Sequence, residues 1–248
     1  MEVIYGINAI RDLLRLSKDG WEKIVIASGR SGPSVKEIIE TARFQKIPLE
    51  YGERKALDKL SGTSEHQGII AFYKSFVYAD LDDVIKNRNQ SFKSDLVLML
   101  DSIMDPQNLG SIIRTAHCLG ANGIVIPEDR AAQVTAAVYK SSAGSVGQIP
   151  VARVINLAQS LDYLKDKGFW VFGADVHGGS PLMNLDFNCS VVLVLGGEEK
   201  GIRPLVRKKC DFLVTIPMMR NFDSLNVSVA AGIIQYEILR QRDRINVT

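Results

Sequence analysis

Ser224, Asn226 and Ser228 set three small hydrogen-bonding side chains at the mouth of an apolar run, Ala230 to Ile234, within "NFDSLNVSVAAGIIQYEIL". The alternation from Ser224 to Val229 has the period of a strand, and the run after it predicts a buried helix. Two more polar stretches carry groups that bind or activate substrates. "DSIMDPQNLGSIIRTA" holds the Asn108 amide and the Arg114 guanidinium, and "GGEEKGIRPL" holds the Glu198 and Glu199 carboxylates. Arg114 falls four residues after Gly110 on the same helical face, and Gly110 would let another backbone or a substrate approach closely. Each set also has a bland reading. Asn108 and Arg114 would serve as a helix cap plus a surface salt bridge, the glutamates as a solvated acidic turn, Leu225 as core and Asn226 as the cap of the last helix.

Several chemistries lack their patterns. No G-x-G occurs, so the dinucleotide fingerprint and the glycine loop of Rossmann-type methyltransferases are missing. "GGEEKGI" sets Lys200 near glycines, but it is not a P-loop and its carboxylates would repel phosphate. His66, His117 and His177 are scattered and read as packing or surface histidines, so no metal is expected. Cys118, Cys189 and Cys210 are odd in number and far apart, which suits a reducing compartment better than a disulfide framework.

The elements that must position these groups come in two series. "GINAIRDLLRL" and "SVKEIIETARFQK", with Ser34 as N-cap, predict helices, and "KIVIAS" and "GIIAFYKS" predict strands. This is a small α/β unit over residues 1–76. Residues 77–94 are polar, include Asn87, Asn89, Gln90 and Ser91, and read as a linker with one short helix. From residue 95 to 248 the apolar runs "LVLML", "GIVIP", "VARVI", "FWVFGA", "VVLVLGG" and "FLVTIP" alternate with helical stretches. Continuous hydrophobicity marks a parallel sheet covered by helices on both faces. Ligands of such a sheet bind beyond the carboxyl ends of its strands, and the three polar stretches follow three of them.

At 248 residues the chain can bury a sizeable core. Its formal charge of +2 is too small to argue for nucleic acid by itself. The excess falls up to residue 76, where twelve basic residues face ten acidic ones. No apolar run approaches bilayer length and no secretory pattern is evident, so a cytoplasmic protein without a membrane partner is expected.

"DPQNLGSIIRTA", "LGGEEKGI" and "IPMMRNFDSLNVSVAAG" together resemble the three signature motifs of the SpoU/TrmH RNA 2′-O-ribose methyltransferases of the SPOUT superfamily, in order, spacing and placement after strands. "YGINAIRDLL" and "HQGIIA" resemble the small RNA-binding domain of the ribosomal-RNA subgroup, so the likeness spans nearly the whole chain. It implies an α/β fold with a trefoil-knotted parallel-sheet domain, one of the rare exceptions to unknotted chains. It implies S-adenosylmethionine bent inside the knot, a homodimer formed through the knot region, and a structured RNA substrate. Guanosine in large-subunit ribosomal RNA is favoured, with tRNA or a non-catalytic assembly role as alternatives. Residue by residue, the resemblance makes Arg114 the catalytic arginine, Asn108 its helper and Glu198 the organiser of both, with Ser224 and Asn226 facing the ribose. Leu195, Gly196, Ile216, Met218 and Leu225 would hold the cofactor. A guanidinium, with a pKa above about 12, is almost never a base, so Arg114 is read as gripping a phosphate and polarising the 2′-hydroxyl. Many members carry glycine where Glu199 stands, so the second turn is expected to differ in shape. "RPLVRKK", Arg240, Arg242 and Arg244 are further candidates for RNA phosphates.

Overall fold

The computed structural model describes residues 1–17, 20–88, 93–176, 178–219 and 224–242. His177, Arg244, Asn221 and the Asn89–Ser91 part of the connecting segment lie outside them.

The first unit is built from β1 (Glu2–Tyr5), α1 (Ile7–Leu16), β2 (Trp21–Ala27), α2 (Pro33–Phe44), β3 (Leu49–Gly52), α3 (Arg54–Ser61) and β4 (Ile69–Tyr73). Its sheet runs in the order β1-β4-β2-β3, with β2 and β3 parallel and β4 antiparallel to both its neighbours. The apolar spacing of α1 buries Ile10, Leu13 and Leu14 against α2 and the sheet. Ser34 is not the cap of α2. The cap is Gly32, with Pro33 in the first turn, where its missing N–H costs nothing and its φ is already helical. β1 and β3, of four residues each, and α3, of eight, are too short to show a period in the sequence.

The connecting segment lies against the second unit. Ala79 bridges to Ala152, and the Tyr78 hydroxyl donates to Gln133 and accepts from the Val134 N–H. α4 (Leu81–Lys86) starts with a capping box of Asp80 and Asp83 and buries Val84.

The second unit comprises β5 (Leu96–Asp101), α5 (Pro106–Cys118), β6 (Gly123–Pro127), α6 (Ala136–Ser141), β7 (Val151–Val154), α7 (Leu157–Asp166), β8 (Trp170–Ala174), β9 (Ser180–Pro181), β10 (Val191–Gly196), α8 (Pro204–Arg207), β11 (Phe212–Thr215) and α9 (Val227–Arg242). The sheet order is β7-β6-β5-β10-β8-β11-β9, and every pairing is parallel. Alternate residues of one strand feed two cores. Leu96, Leu98 and Leu100 of β5 join the cluster under α5 and α9, while Val97 and Met99 join the cluster under α7. Each such side chain contributes about 1.5–3 kcal/mol through burial, and both faces are dry, which is why the runs read as continuous.

From β5 the chain moves outward to β6 and β7, then crosses back, so that β10 sits between β5 and β8. Chain order reverses there, and a crevice opens beyond the carboxyl ends of these strands. Two local expectations are corrected. Residues 224–226 form no strand, and α9 starts at Val227. Arg242 is not a free cation. Its guanidinium donates to the carbonyls of Ser94, Asp95, Phe187 and Cys189, and burial draws its pKa down to about 10.

Candidate active site

The first turn of α5, the loop after β10 and the residue ahead of α9 meet in one hydrogen-bonded triangle at the crevice. Glu198, after β10, accepts from the Asn108 side-chain amide at 3.1 Å and from the Asn226 side-chain amide at 2.7 Å, both at Oε1. Asn226 Nδ2 also donates to Asn108 Oδ1 at 3.0 Å. Asn226 Oδ1 accepts from the Ser228 N–H at 3.0 Å and the Ser228 hydroxyl at 2.6 Å. Asn226 is therefore both the cap of α9 and a member of the triangle, and Ser228 fixes which way its amide points. That explains the small polar residues ahead of the apolar helix. Asn108 itself is not a cap. Asp105 caps α5 by accepting from the Gln107 N–H at 2.9 Å, which leaves the 8 % exposed Asn108 free to face Glu198.

Glycines shape the loops around the triangle. A Cβ at Gly110 would fall 1.8 Å from Ser141 Oγ and 2.9 Å from the Ser142 nitrogen, so the close approach predicted there is by α6. A Cβ at Gly196 would meet the Gly201 carbonyl carbon at 2.1 Å, and one at Gly197 would meet the Ser102 carbonyl oxygen at 2.5 Å. The turn after β10 folds flat on itself, with Gly201 taking the left-handed φ of 60°. Glu199 has no positive φ, so this residue fits the turn without backbone strain.

A cavity of about 450 Å³ opens beside Glu198, within the range of small-molecule sites. All five residues expected at the cofactor line it: Leu195, Gly196, Ile216, Met218 and Leu225. Glu198 and Ser224 line it too, whereas Asn108 and Asn226 reach it through Glu198. Arg114 is not brought to the triangle. It is exposed on α5, about one and two-thirds turns past Asn108, with no hydrogen-bond partner among the described residues.

Sequence reading missed other lining residues. Asp175 and Val176 follow β8, Arg207 ends α8, and Ala230 and Ile234 come from α9. The loop after "FWVFGA" was the signal available, since it too follows a buried parallel strand. The basic stretch "RPLVRKK" is largely engaged within the chain. Arg203 binds the fully buried Asp101 through its N–H at 2.8 Å and its Nε at 2.6 Å, Arg207 binds Asp175, and Lys209 binds Asp162. Arg240 is likewise paired with Glu237.

The lining suits S-adenosylmethionine. Leu195, Ile216, Leu225 and Ile234 offer apolar surface for an adenine, and the flush Gly196 backbone offers amide and carbonyl groups. Asp175 is paired with Arg207 on the wall, and Glu198 and Glu199 outweigh Lys200 beside them, which favours a ligand that carries positive charge.

Residues 95–236 match the SpoU rRNA Methylase family, and residues 3–79 match the RNA 2′-O ribose methyltransferase substrate-binding domain. A Bacillus subtilis (strain 168) protein, named as a TrmH family tRNA/rRNA methyltransferase, is 41 % identical over 98 % of this chain and 97 % of its own length. The SpoU methyltransferase AviRb from Streptomyces viridochromogenes, solved with S-adenosylmethionine, aligns with a TM-score of 0.69 at 26 % identity over 97 % of this chain and 90 % of its own. An S-adenosylmethionine-bound rRNA methyltransferase from Sinorhizobium meliloti aligns with a TM-score of 0.66 at 25 % identity, over 96 % of this chain and 86 % of its own. With its parallel sheet, its preceding substrate-binding unit and three loops converging on one cavity, the chain belongs to the SpoU/TrmH family of S-adenosylmethionine-dependent RNA methyltransferases.

Proposed function

We propose that this enzyme methylates the ribose 2′-oxygen of a guanosine in large-subunit ribosomal RNA, in the cytoplasm and as a homodimer. The observation that carries the reading is the triangle of Asn108, Glu198 and Asn226, which joins three segments far apart in the chain at the lip of the cavity. S-adenosylmethionine supplies an electrophilic methyl group on a sulfonium. The protein's part is to orient. Glu198 holds two amides through one oxygen, so their positions relative to the cavity are set before substrate arrives. Ser224, on the cavity wall, and Asn226 face the incoming ribose, and the apolar lining excludes water around it.

Arg114 acts in this reading from a dimer. α5 and α9 pack side by side, and a Cβ at Gly232 would lie 3.8 Å from the Thr115 methyl. On α9, Val229, Ile233 and Tyr236 are exposed by 50, 39 and 57 %, at helical spacing. An apolar stripe of this kind is suited to a second copy of the helix, and Arg114 beside it would grip RNA phosphate at a site shared between protomers. The knot expected from the resemblance would hold the third loop against the second, consistent with their contact around one cavity.

Ribosomal RNA is preferred over tRNA because a substrate-binding unit precedes the catalytic one and a full-length structural relative is named for rRNA. The test is methyl transfer from labelled S-adenosylmethionine to purified ribosomal RNA and tRNA. Label in ribose of the large-subunit RNA, lost with Arg114→Ala or Glu198→Ala, is the expected result. Full transfer by Arg114→Ala would remove the catalytic assignment, and label confined to tRNA would shift the substrate.

A further inference from the structure

α8 is four residues long and is flanked by arginines, with Arg203 just before it and Arg207 at its last position. Arg203 reaches Asp101 at the end of β5, and Arg207 reaches Asp175 just beyond β8. Because β10 lies between β5 and β8, α8 straps across the carboxyl end of the strand whose exit loop carries Glu198. The two ties differ in kind. Asp101 is fully buried, so its partner is needed to keep a carboxylate inside the fold. The second pair is open, with Arg207 45 % and Asp175 20 % exposed in their side chains and Oδ2 lying 2.8 Å from Nε. A pair that open contributes little to stability. Both its members nonetheless line the cavity, and they stand on different walls. The β8 wall is held without the pair: the Asp175 N–H donates to the Val214 carbonyl, and the Thr215 hydroxyl donates to the Asp175 carbonyl at 3.0 Å.

We propose that Arg207 is a positioning residue whose ion pair with Asp175 latches α8 and the Glu198 loop to the β8 wall, and so retains S-adenosylmethionine in the cavity. The proposal rests on the reading of this cavity as the cofactor site. When the pair opens, α8 keeps its tie to Asp101 and its packing on α7 through the buried Val206 and the Lys209–Asp162 pair, and loses its direct ion pair to the β8 wall. Salt weakens a half-exposed pair, so ligand release quickens as ionic strength rises.

The test is binding and release of S-adenosylmethionine and S-adenosylhomocysteine by the full-length chain, followed by calorimetry and stopped-flow mixing. Arg207→Ala is expected to release both ligands about tenfold faster or more. Its KM for S-adenosylmethionine rises while kcat at saturation stays within about twofold, the split of a binding rather than a chemical defect. Its ligand-free thermal midpoint stays within about 3 °C of wild type. Release from wild type speeds up between about 0.05 and 0.5 M salt, and release from the variant does not. The exchanged pair, Asp175→Arg with Arg207→Asp, restores slow release. Wild-type release rates in Arg207→Ala would overturn the latch, as would a folded exchanged pair that still releases quickly. A wild-type chain that binds neither ligand would overturn the cofactor assignment of the cavity itself, a separate failure.

Discussion

Glu198 shows how one oxygen can organise a site: two side-chain amides converge on Oε1, and a third contact links the amides to each other. Glu198 is exposed, so removing it costs the fold little and the geometry much. Glu198→Ala is expected to lower methyl transfer by about 10²–10³-fold, the loss typical of one preorganised polar group, with an unchanged circular dichroism spectrum. Wild-type turnover in that variant would show that the triangle is decoration. Asn226→Ala removes the cap of α9 as well, and urea titration should show a loss of about 1 kcal/mol on top of the activity defect. Gly110→Ala tests a packing claim. Its new methyl would press on Ser141 Cβ at 2.7 Å and on backbone at Ser142, neither of which can swing aside, so a loss of about 1–3 kcal/mol is expected. A variant as stable as wild type would mean that α6 is not pressed against α5. The sequence made the close approach at Gly110 legible. It could not name the visitor, because Ser141 arrives from a separate helix whose six residues are too few to show a period.

Among the elements, the strands of the larger sheet were readable because burial on both faces leaves no polar residue to break the run, as in Val191–Leu195. β9, α6 and α8 were not, since two to six residues are too few for any period. The strand expected over Ser224–Val229 failed for a related reason. Its alternation arose from a cap motif, Asn226 and Ser228, rather than from a pleated surface. Tyr236→Asp or Ile233→Arg, on the exposed stripe of α9, should halve the mass measured by light scattering, and an unchanged mass would remove the proposed interface. Cys210, just after α8, donates weakly to the Val206 carbonyl and packs against Gly173, and burial pushes its thiol up to about 11 from an ordinary 9.0. The neutral thiol is the form the fold favours. Its contribution is complete below pH 9 and is lost as pH rises towards about 11. Denaturant titrations across that window should show wild type losing on the order of 2 kcal/mol more than Cys210→Ala. Parallel curves would mean that the thiol is not confined.

At the scale of the molecule, a substrate-binding unit and a catalytic unit share a boundary. Tyr73 packs edge-on against Tyr139 at 5.8 Å, and Lys140 of α6 pairs with Asp12 of α1. The same α6 presses on α5 at Gly110, so the helix that carries Asn108 and Arg114 is seated on an element that touches both units. The two-unit plan was legible in the rhythm of the sequence and in its family motifs. The seating was not, because it depends on residues such as Tyr139 and Ser141 that lie in neither motif nor periodic run. The central claim is that this assembly puts a methyl group on a ribose oxygen of ribosomal RNA. Ribose methylation mapped across total RNA, from cells with and without this protein and from cells carrying Glu198→Ala, tests it most directly. Loss of a single 2′-O-methylguanosine in large-subunit RNA, restored by wild type and not by the variant, is the predicted result. An unchanged ribose map, or a lost methyl group that proves to have been on a base, would contradict it.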